Sequence, residues 1–249
     1  MTQSEYYYRN MMGAIGTTML LFLLFVNIFG SIISFFLLFL PLGVAGTVVY
    51  QIVYAAGYLA VFLLPIPCFR AMTKKFGHLY RPAYAEPRMT PYFPLILFAG
   101  VALIFAASTV NAAFVSIFDY SAFSSELLWE DPAAMAPYEL VLHILAVCVV
   151  PGICEEFLVR GAILTNCLPF GRSKAILISA LLFGLMHQNV EQILYAFVAG
   201  IFLGIVYEYT GSIWNCVLLH TLNNFTPVFL NVLMKLVISA DVLQHFVIL

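Results

Sequence analysis

Three charged residues lie close together in an otherwise apolar stretch of the chain: Glu155, Glu156 and Arg160. A charged side chain inside a membrane span costs about 2.5–3.5 kcal/mol, so those that occur there usually face a protein cavity and serve a function. Glu156 and Arg160 are four residues apart and share one helix face, where they can pair. Glu155 is rotated by about 100° from Glu156 and must face a different partner.

Two histidines follow in separate apolar stretches, His187 four residues after Phe183, and His220 four residues before Asn224. Taken alone, each histidine is more typical of hydrogen bonding between helices than of catalysis. Counted from the expected cytoplasmic ends of their spans, however, Glu155, His187 and His220 all lie roughly 12–20 Å below the same membrane surface. We therefore expect the three side chains to share one cavity.

A carboxylate, two imidazoles and an amide in one cavity are suited to the cleavage of an amide bond by water. Such a reaction needs a base that activates the water and donors that stabilise the developing oxyanion. Glu155, His187 and His220 are also residue types that bind zinc with an open coordination position. No H-E-x-x-H pattern occurs on one helix, so the indication of a metal is weak.

The composition places these residues in a membrane protein. Of the 249 residues, 63% are hydrophobic and only 9% are charged, whereas a soluble domain carries roughly 25% charged residues. A soluble globular fold is excluded on this ground. The net charge of −2 provides no basic surface for phosphates, so nucleic acid is not expected as a partner.

A spanning helix needs about 20 apolar residues, and this length predicts an all-α bundle of about seven transmembrane helices. They are expected near residues 12–38, 43–67, 93–118, 138–163, 174–189, 191–209 and 212–238. A break near Pro227 in the last segment would raise the number to eight. Gly200 and Gly204 form a G-x-x-x-G pattern, which indicates close approach of another helix.

The basic residues predict the orientation, since Lys and Arg are retained on the cytoplasmic side. The loop 69–92 holds five basic residues and one acid, whereas the loop 119–137 holds four acids and no base. The first loop and the N-terminus are therefore expected in the cytoplasm. Lys235 disagrees with this scheme unless the last span turns back near Pro227. A bacterial cell membrane is the expected location.

The candidate catalytic residues also follow a known sequence pattern. Glu155, Glu156 and Arg160 match E-E-x-x-x-R, Phe183 and His187 match F-x-x-x-H, and His220 and Asn224 match H-x-x-x-N. In this order, each in its own apolar span, they resemble the CPBP family of intramembrane proteases, named for CAAX proteases and bacteriocin-processing enzymes and also called the Abi family. The resemblance covers roughly residues 140–230.

This resemblance implies a glutamic endopeptidase of the membrane that acts on a CAAX-type prenyl protein or on a bacteriocin or leader peptide. In the family's scheme, Glu155 and His187 would activate the water, and His220 and Asn224 would stabilise the oxyanion. Glu156, Arg160 and Phe183 would support the site. No cofactor is implied, and membrane lipid and a membrane-associated peptide or protein are the expected partners.

Two other functions remain open at this point: a zinc endopeptidase that uses Glu155, His187 and His220 as ligands, and a non-catalytic bacteriocin-immunity or scaffold protein. The chain is predicted to form one membrane domain. Residues 1–137 are expected to supply variable N-terminal helices, and residues 138–239 are expected to form the CPBP-like catalytic core.

Overall fold

The computed structural model describes residues 3–37, 39, 44–74, 89–117 and 131–239, and in these ranges the chain is helical and contains no strand. The basic and acidic loops that predicted the orientation fall largely outside the described residues. The helices, in chain order, are α1 (Gln3–Leu37), α2 (Val44–Leu63), α3 (Pro65–Thr73), α4 (Phe93–Ile117), α5 (Pro137–Phe170), α6 (Arg172–Met186), α7 (Val190–Thr210) and α8 (Ile213–Ser239).

Within the described ranges, six helical segments are long and apolar enough to cross a membrane, with α2 and α3 forming one of them. The all-α polytopic class is confirmed with six to seven spans, so the predicted seven is the upper limit and eight is too many. The seventh candidate is the segment expected at 174–189. It forms α6, which has 15 residues and a length of about 22 Å, whereas the apolar layer of a bilayer is about 30 Å thick.

The helix α5 is 34 residues long and contains two π-helical segments, Leu145–Val149 and Phe157–Leu164. Pro151 has no N–H to donate to the preceding turn, and the first π segment lies just before it. In the second, the Thr165 hydroxyl donates to the carbonyl of Arg160 at 2.8 Å. The ordinary α-helical stretch between them, Val150–Glu156, carries both glutamates. Single-turn π segments occur frequently at functional sites.

The helices α6 and α7 form an antiparallel pair whose close approach depends on glycines. A Cβ added at Gly200 would lie 2.9 Å from the Cα of Ala180, and one added at Gly184 would lie 2.8 Å from the carbonyl oxygen of Ile193. The close helix packing predicted from Gly200 and Gly204 is thus confirmed. The turn that joins the helices places Gln188 at a φ of 52°, a left-handed conformation that ends α6.

The helix α8 runs through Pro227 without a break, so the eight-span alternative and the turn near Pro227 are wrong. A proline is tolerated inside a membrane helix when neighbouring groups satisfy the backbone that it leaves unpaired. Lys235 lies instead 3.5 Å from the Asp131 carboxylate, at the start of the segment before α5. At the other end of the bundle, Arg172 pairs with Glu208 at 2.8 Å.

Candidate active site

A buried ion pair on α5 forms the centre of the site. Glu156 Oε1 accepts hydrogen bonds from Arg160 Nη1 and from His220 Nδ1, both at 2.9 Å. Arg160 Nη2 donates to the carbonyl of Gly200, also at 2.9 Å. Both charged side chains are fully buried, and such groups are stable only when paired and hydrogen-bonded. This network ties α5 to α7 and α8.

The Phe183 ring joins the ion pair to both histidines. The Arg160 guanidinium lies over the ring, with its Cζ 4.7 Å from the ring centre. The imidazoles of His187 and His220 pack edge to face against the same ring, at centroid distances of 5.1 and 5.6 Å. Cation–π and edge-to-face contacts both fix the orientation of the rings. Phe183 therefore holds the spacing between the two histidines.

Glu155 uses its two carboxylate oxygens differently. Oε1 accepts a hydrogen bond from the hydroxyl of Tyr58, on α2. Oε2 lies 3.9 Å from Nε2 of His220, a separation longer than a hydrogen bond. Glu155 and His220 are 5% and 4% exposed, so this pair of atoms lies away from bulk solvent. A water molecule is small enough to contact both atoms.

His187 lies at the C-terminal end of α6, where its Nδ1 is 2.8 Å from the carbonyl oxygen of Phe183. A carbonyl oxygen can only accept, so Nδ1 carries the proton and Nε2 is bare in the neutral ring. His187 is half-buried. In the described part of the chain, the imidazole within 4 Å of Glu155 is that of His220, and no hydrogen bond joins Glu155 to His187.

Asn224 is held by its neighbour along the helix. Its Oδ1 accepts from Nδ2 of Asn223 at 3.3 Å, and Oδ1 of Asn223 accepts in turn from the hydroxyl of Tyr195, on α7, at 2.5 Å. The relay Tyr195–Asn223–Asn224 runs in one direction. Because its oxygen is engaged, Asn224 keeps its Nδ2 hydrogens for another acceptor.

A cavity of about 60 Å³ opens beside these groups, between α4, α6, α7 and α8. Its polar lining comes from two histidines, three other polar side chains and one threonine: His187, His220, Tyr195, Asn223, Asn224 and Thr226. The remaining wall is apolar and includes Leu97, Val101 and Phe105 of α4. Small-molecule and substrate sites typically combine an apolar wall with a few convergent polar groups.

The structure therefore brings most of the predicted residues together. Phe183, His187, His220 and Asn224 line one cavity, and Glu155 lies against its His220 wall. Sequence reasoning missed Tyr58, Tyr195 and Asn223. Nothing in the sequence distinguishes Tyr58 among the 14 tyrosines of the chain. Asn223 directly precedes a predicted site residue, and that adjacency was the available indication.

The zinc alternative requires Glu155, His187 and His220 to converge on one metal ion. Among the described residues, no group of three or more His, Cys, Asp or Glu side chains is placed to hold a metal ion. His220 has its Nδ1 engaged by Glu156, while His187 has its Nδ1 engaged by a backbone carbonyl. Each histidine keeps Nε2 for a ligand, but in the described part of the chain Glu155, His187 and His220 are not grouped closely enough to form a zinc ligand set.

Fold and site together define a class: a polytopic helical membrane protein with a carboxylate, two imidazoles and an amide beside a largely apolar cavity. Residues 137–226 match the family model described as "Type II CAAX prenyl endopeptidase Rce1-like". This match confirms the resemblance to the CPBP family of CAAX proteases, and the matched segment contains all three motifs. No curated protein and no solved structure matches the chain.

Proposed function

We propose that this protein is an intramembrane endopeptidase that cleaves a membrane-associated peptide or protein with water activated by glutamate and histidine. The observation that carries the proposal is the position of Glu155 Oε2, 3.9 Å from His220 Nε2 and beside a cavity lined by His187 and Asn224. The matched family is a peptidase family. CAAX-type prenyl proteins are the substrates that the match favours, and bacteriocin or leader peptides are the alternative.

In the proposed reaction, Glu155 is the general base and accepts the proton of the attacking water on Oε2. The water oxygen bonds to the scissile carbonyl carbon, and the C–N bond then breaks as a proton passes to the leaving amine. His187 assists because it lines the cavity and its Nε2, bare in the neutral ring, can accept a proton. His187 and Glu155 are not hydrogen-bonded to each other, so the proposal requires a water molecule or the substrate to lie between them.

His220 and Asn224 are the proposed oxyanion donors. The Nδ1–H of His220 is hydrogen-bonded to Glu156. His220 can therefore donate through Nε2 only when both ring nitrogens carry protons. The carboxylate of Glu156 lies beside the ring and balances that charge. Asn224 donates through Nδ2, which its contact with Asn223 leaves available. Donors fixed before the reaction stabilise developing charge without reorganisation.

Glu156, Arg160 and Phe183 are proposed as supporting residues, and of the three Phe183 alone lines the cavity. Arg160 neutralises Glu156 and binds the backbone of α7, while Phe183 holds the two histidines apart. Their role is to keep the reacting groups in place, since a misplacement of 1 Å can cost about 100-fold in rate.

The proposed topology places the N-terminus in the cytoplasm. The pair Arg172–Glu208 marks one end of the bundle and the pair Lys235–Asp131 marks the opposite end. With the N-terminus inside, the first pair is cytoplasmic and Lys235 is external, where Asp131 provides its counter-charge. Reporter fusions at the two termini test this arrangement, and a cytoplasmic report from a C-terminal fusion would contradict it.

Cleavage of a peptide panel tests the function. Purified wild type and Glu155→Gln are incubated with prenylated CAAX, double-glycine leader and signal peptides, with and without a chelator, and products are identified by mass spectrometry. We expect wild type alone to cleave, with no effect of the chelator. Activity lost to chelator and restored by zinc would favour the zinc enzyme. Protection against a bacteriocin that survives loss of Glu155 and His187 would favour the immunity protein.

A further inference from the structure

Tyr58 contacts the proposed base from outside the segment that the family model matches. The matched segment begins at residue 137, whereas Tyr58 lies on α2 and donates its hydroxyl proton to Glu155 Oε1. The pair is separated by 97 positions in the chain. A carboxylate of the core is therefore fixed by a side chain from the N-terminal half.

The tyrosine ring is itself held in place. It stacks on Phe62 at a centroid distance of 4.6 Å and an angle of 17°. Phe62 is 5% exposed and packs edge to face on Phe22 of α1 at 4.8 Å. On its other side the ring contacts Tyr54 at 5.7 Å. A ring packed between two neighbours has little freedom, so its hydroxyl is presented to Glu155 at a fixed position.

The geometry separates the functions of the two carboxylate oxygens. Oε1 is engaged by Tyr58, and Oε2 is directed towards His220. A carboxylate that is free to rotate about its terminal bond would exchange these oxygens, since that torsion is broad. A hydrogen bond to one oxygen removes this freedom. The oxygen that would receive the proton from water then stays on the His220 side.

We propose that Tyr58 is a positioning residue for Glu155, supplied to the active site by α2. This inference rests on the proposed function, in which Glu155 is the base. Tyr58 does not line the cavity, so it is not expected to contact the substrate. The proposal predicts an effect on the rate of the chemical step and none on substrate binding.

The contact is tested first without any substrate, by a double-mutant cycle on thermal unfolding. The melting temperature is measured for wild type, Tyr58→Phe, Glu155→Ala, which removes the acceptor, and the double variant. We expect Tyr58→Phe to lower the melting temperature in the wild-type background and to have a much smaller effect when Glu155 is already replaced. Tyr50→Phe, on the same helix two turns away, is the matched control and should be additive with Glu155→Ala. Additivity of Tyr58→Phe would overturn the proposal.

The positioning role is tested by the kinetics of Tyr58→Phe on a farnesylated CAAX peptide. We expect kcat to fall by about 10- to 100-fold with KM unchanged, and the acid limb of kcat against pH to move along the pH axis. A loss of folded protein would lower the whole profile without moving it. An unchanged kcat and profile would overturn the role. If Glu155→Gln cleaves as well as wild type, the proposed function fails, while the unfolding cycle still decides whether Tyr58 holds Glu155.

Discussion

The outer and inner helices of the bundle differ in what they bury. In the most apolar windows of α1 and α4 only 6% of the residues are buried, whereas the corresponding window of α5 is 44% buried. The outer helices therefore present side chains to lipid on most of their surface. The helix α5 carries the glutamates and the arginine, and it needs neighbours on every side because each charge must find a partner.

The helix α2 belongs with the inner helices, although its sequence lies outside the family match. In its most apolar window 33% of the residues are buried, and it packs against Val150–Glu156 of α5. The active site therefore extends beyond the segment 137–226 that matches the family model. Four predictions follow from the comparison of outer and inner helices, beginning with the change that should disturb the inner helices most.

Replacement of Arg160 by alanine should cause the largest loss of stability. The guanidinium is fully buried and neutralises Glu156, so its removal leaves a buried carboxylate that keeps the His220 hydrogen bond but loses its cation, at a cost of about 3–5 kcal/mol. The matched control is Arg172→Ala, because Arg172 also pairs with a glutamate but is 80% exposed in its side chain. We expect less than about 1 kcal/mol there. Denaturant unfolding in detergent measures both, and equal losses would contradict the distinction.

Glycine-to-alanine changes should have opposite effects in the two regions. A Cβ at Gly152 would lie 2.4 Å from the Oγ1 and 3.1 Å from the backbone nitrogen of Thr221, so Gly152→Ala must push α5 away from α8. We expect a loss of about 1–3 kcal/mol and a fall in cleavage, because Thr221 is adjacent to His220.

The matched control is Gly30→Ala in α1, where an added Cβ meets nothing within 4 Å. There the better helix propensity of alanine should stabilise the protein by up to about 1 kcal/mol. The melting temperatures of the two variants check the prediction. If Gly30→Ala were as harmful as Gly152→Ala, helix packing would be no looser in α1 than in α5.

Loss of the side chain of Asn223 should lower kcat about tenfold, equivalent to about 1.4 kcal/mol. Asn223 occupies the oxygen of Asn224, and without it the amide of Asn224 can rotate its oxygen towards the cavity. The control is Asn27→Ala, since Asn27 bonds only to a carbonyl of its own exposed helix face. Steady-state kinetics on the cleaved peptide decide, and an unchanged kcat would separate Asn223 from the site.

The smallest effect is expected at the end of the bundle, for Lys235→Ala. Lys235 and Asp131 are 3.5 Å apart and both about half exposed, so their pair should contribute no more than about 1 kcal/mol. The unfolding free energies of Lys235→Ala, Asp131→Asn and the double variant give the coupling. A coupling that persists in 1 M salt would show that the pair is more shielded than its exposure indicates.

The sequence predicts the helical class and the residues of the inner site because both depend on local rules. Apolar length indicates spans, and an unpaired charge inside a span indicates a partner nearby. The path of α8 through Pro227 could not be predicted, since it depends on neighbours that tolerate the proline. The extent of α6 does follow from the sequence, since the predicted 174–189 nearly coincides with Arg172–Met186.

The partners of Glu155 illustrate the limit most clearly. Spacing identifies Glu156 and Arg160 as a pair because they lie on one helix, whereas Tyr58 reaches Glu155 from a helix 97 positions earlier. Contacts of that kind depend on how helices are arranged and leave no local pattern. The division of the chain into residues 1–137 and 138–239 stays a prediction, and the contact from Tyr58 crosses it.

The role of Glu155 in activating water for peptide cleavage is measured most directly by one comparison of rates. Wild type, Glu155→Gln and the control Glu208→Gln are reconstituted in vesicles at equal folded amounts, and cleavage of a farnesylated CAAX peptide is followed by mass spectrometry. We expect a loss of about 10²- to 10⁴-fold for Glu155→Gln and wild-type rates for the control. Equal rates for Glu155→Gln and wild type would contradict it.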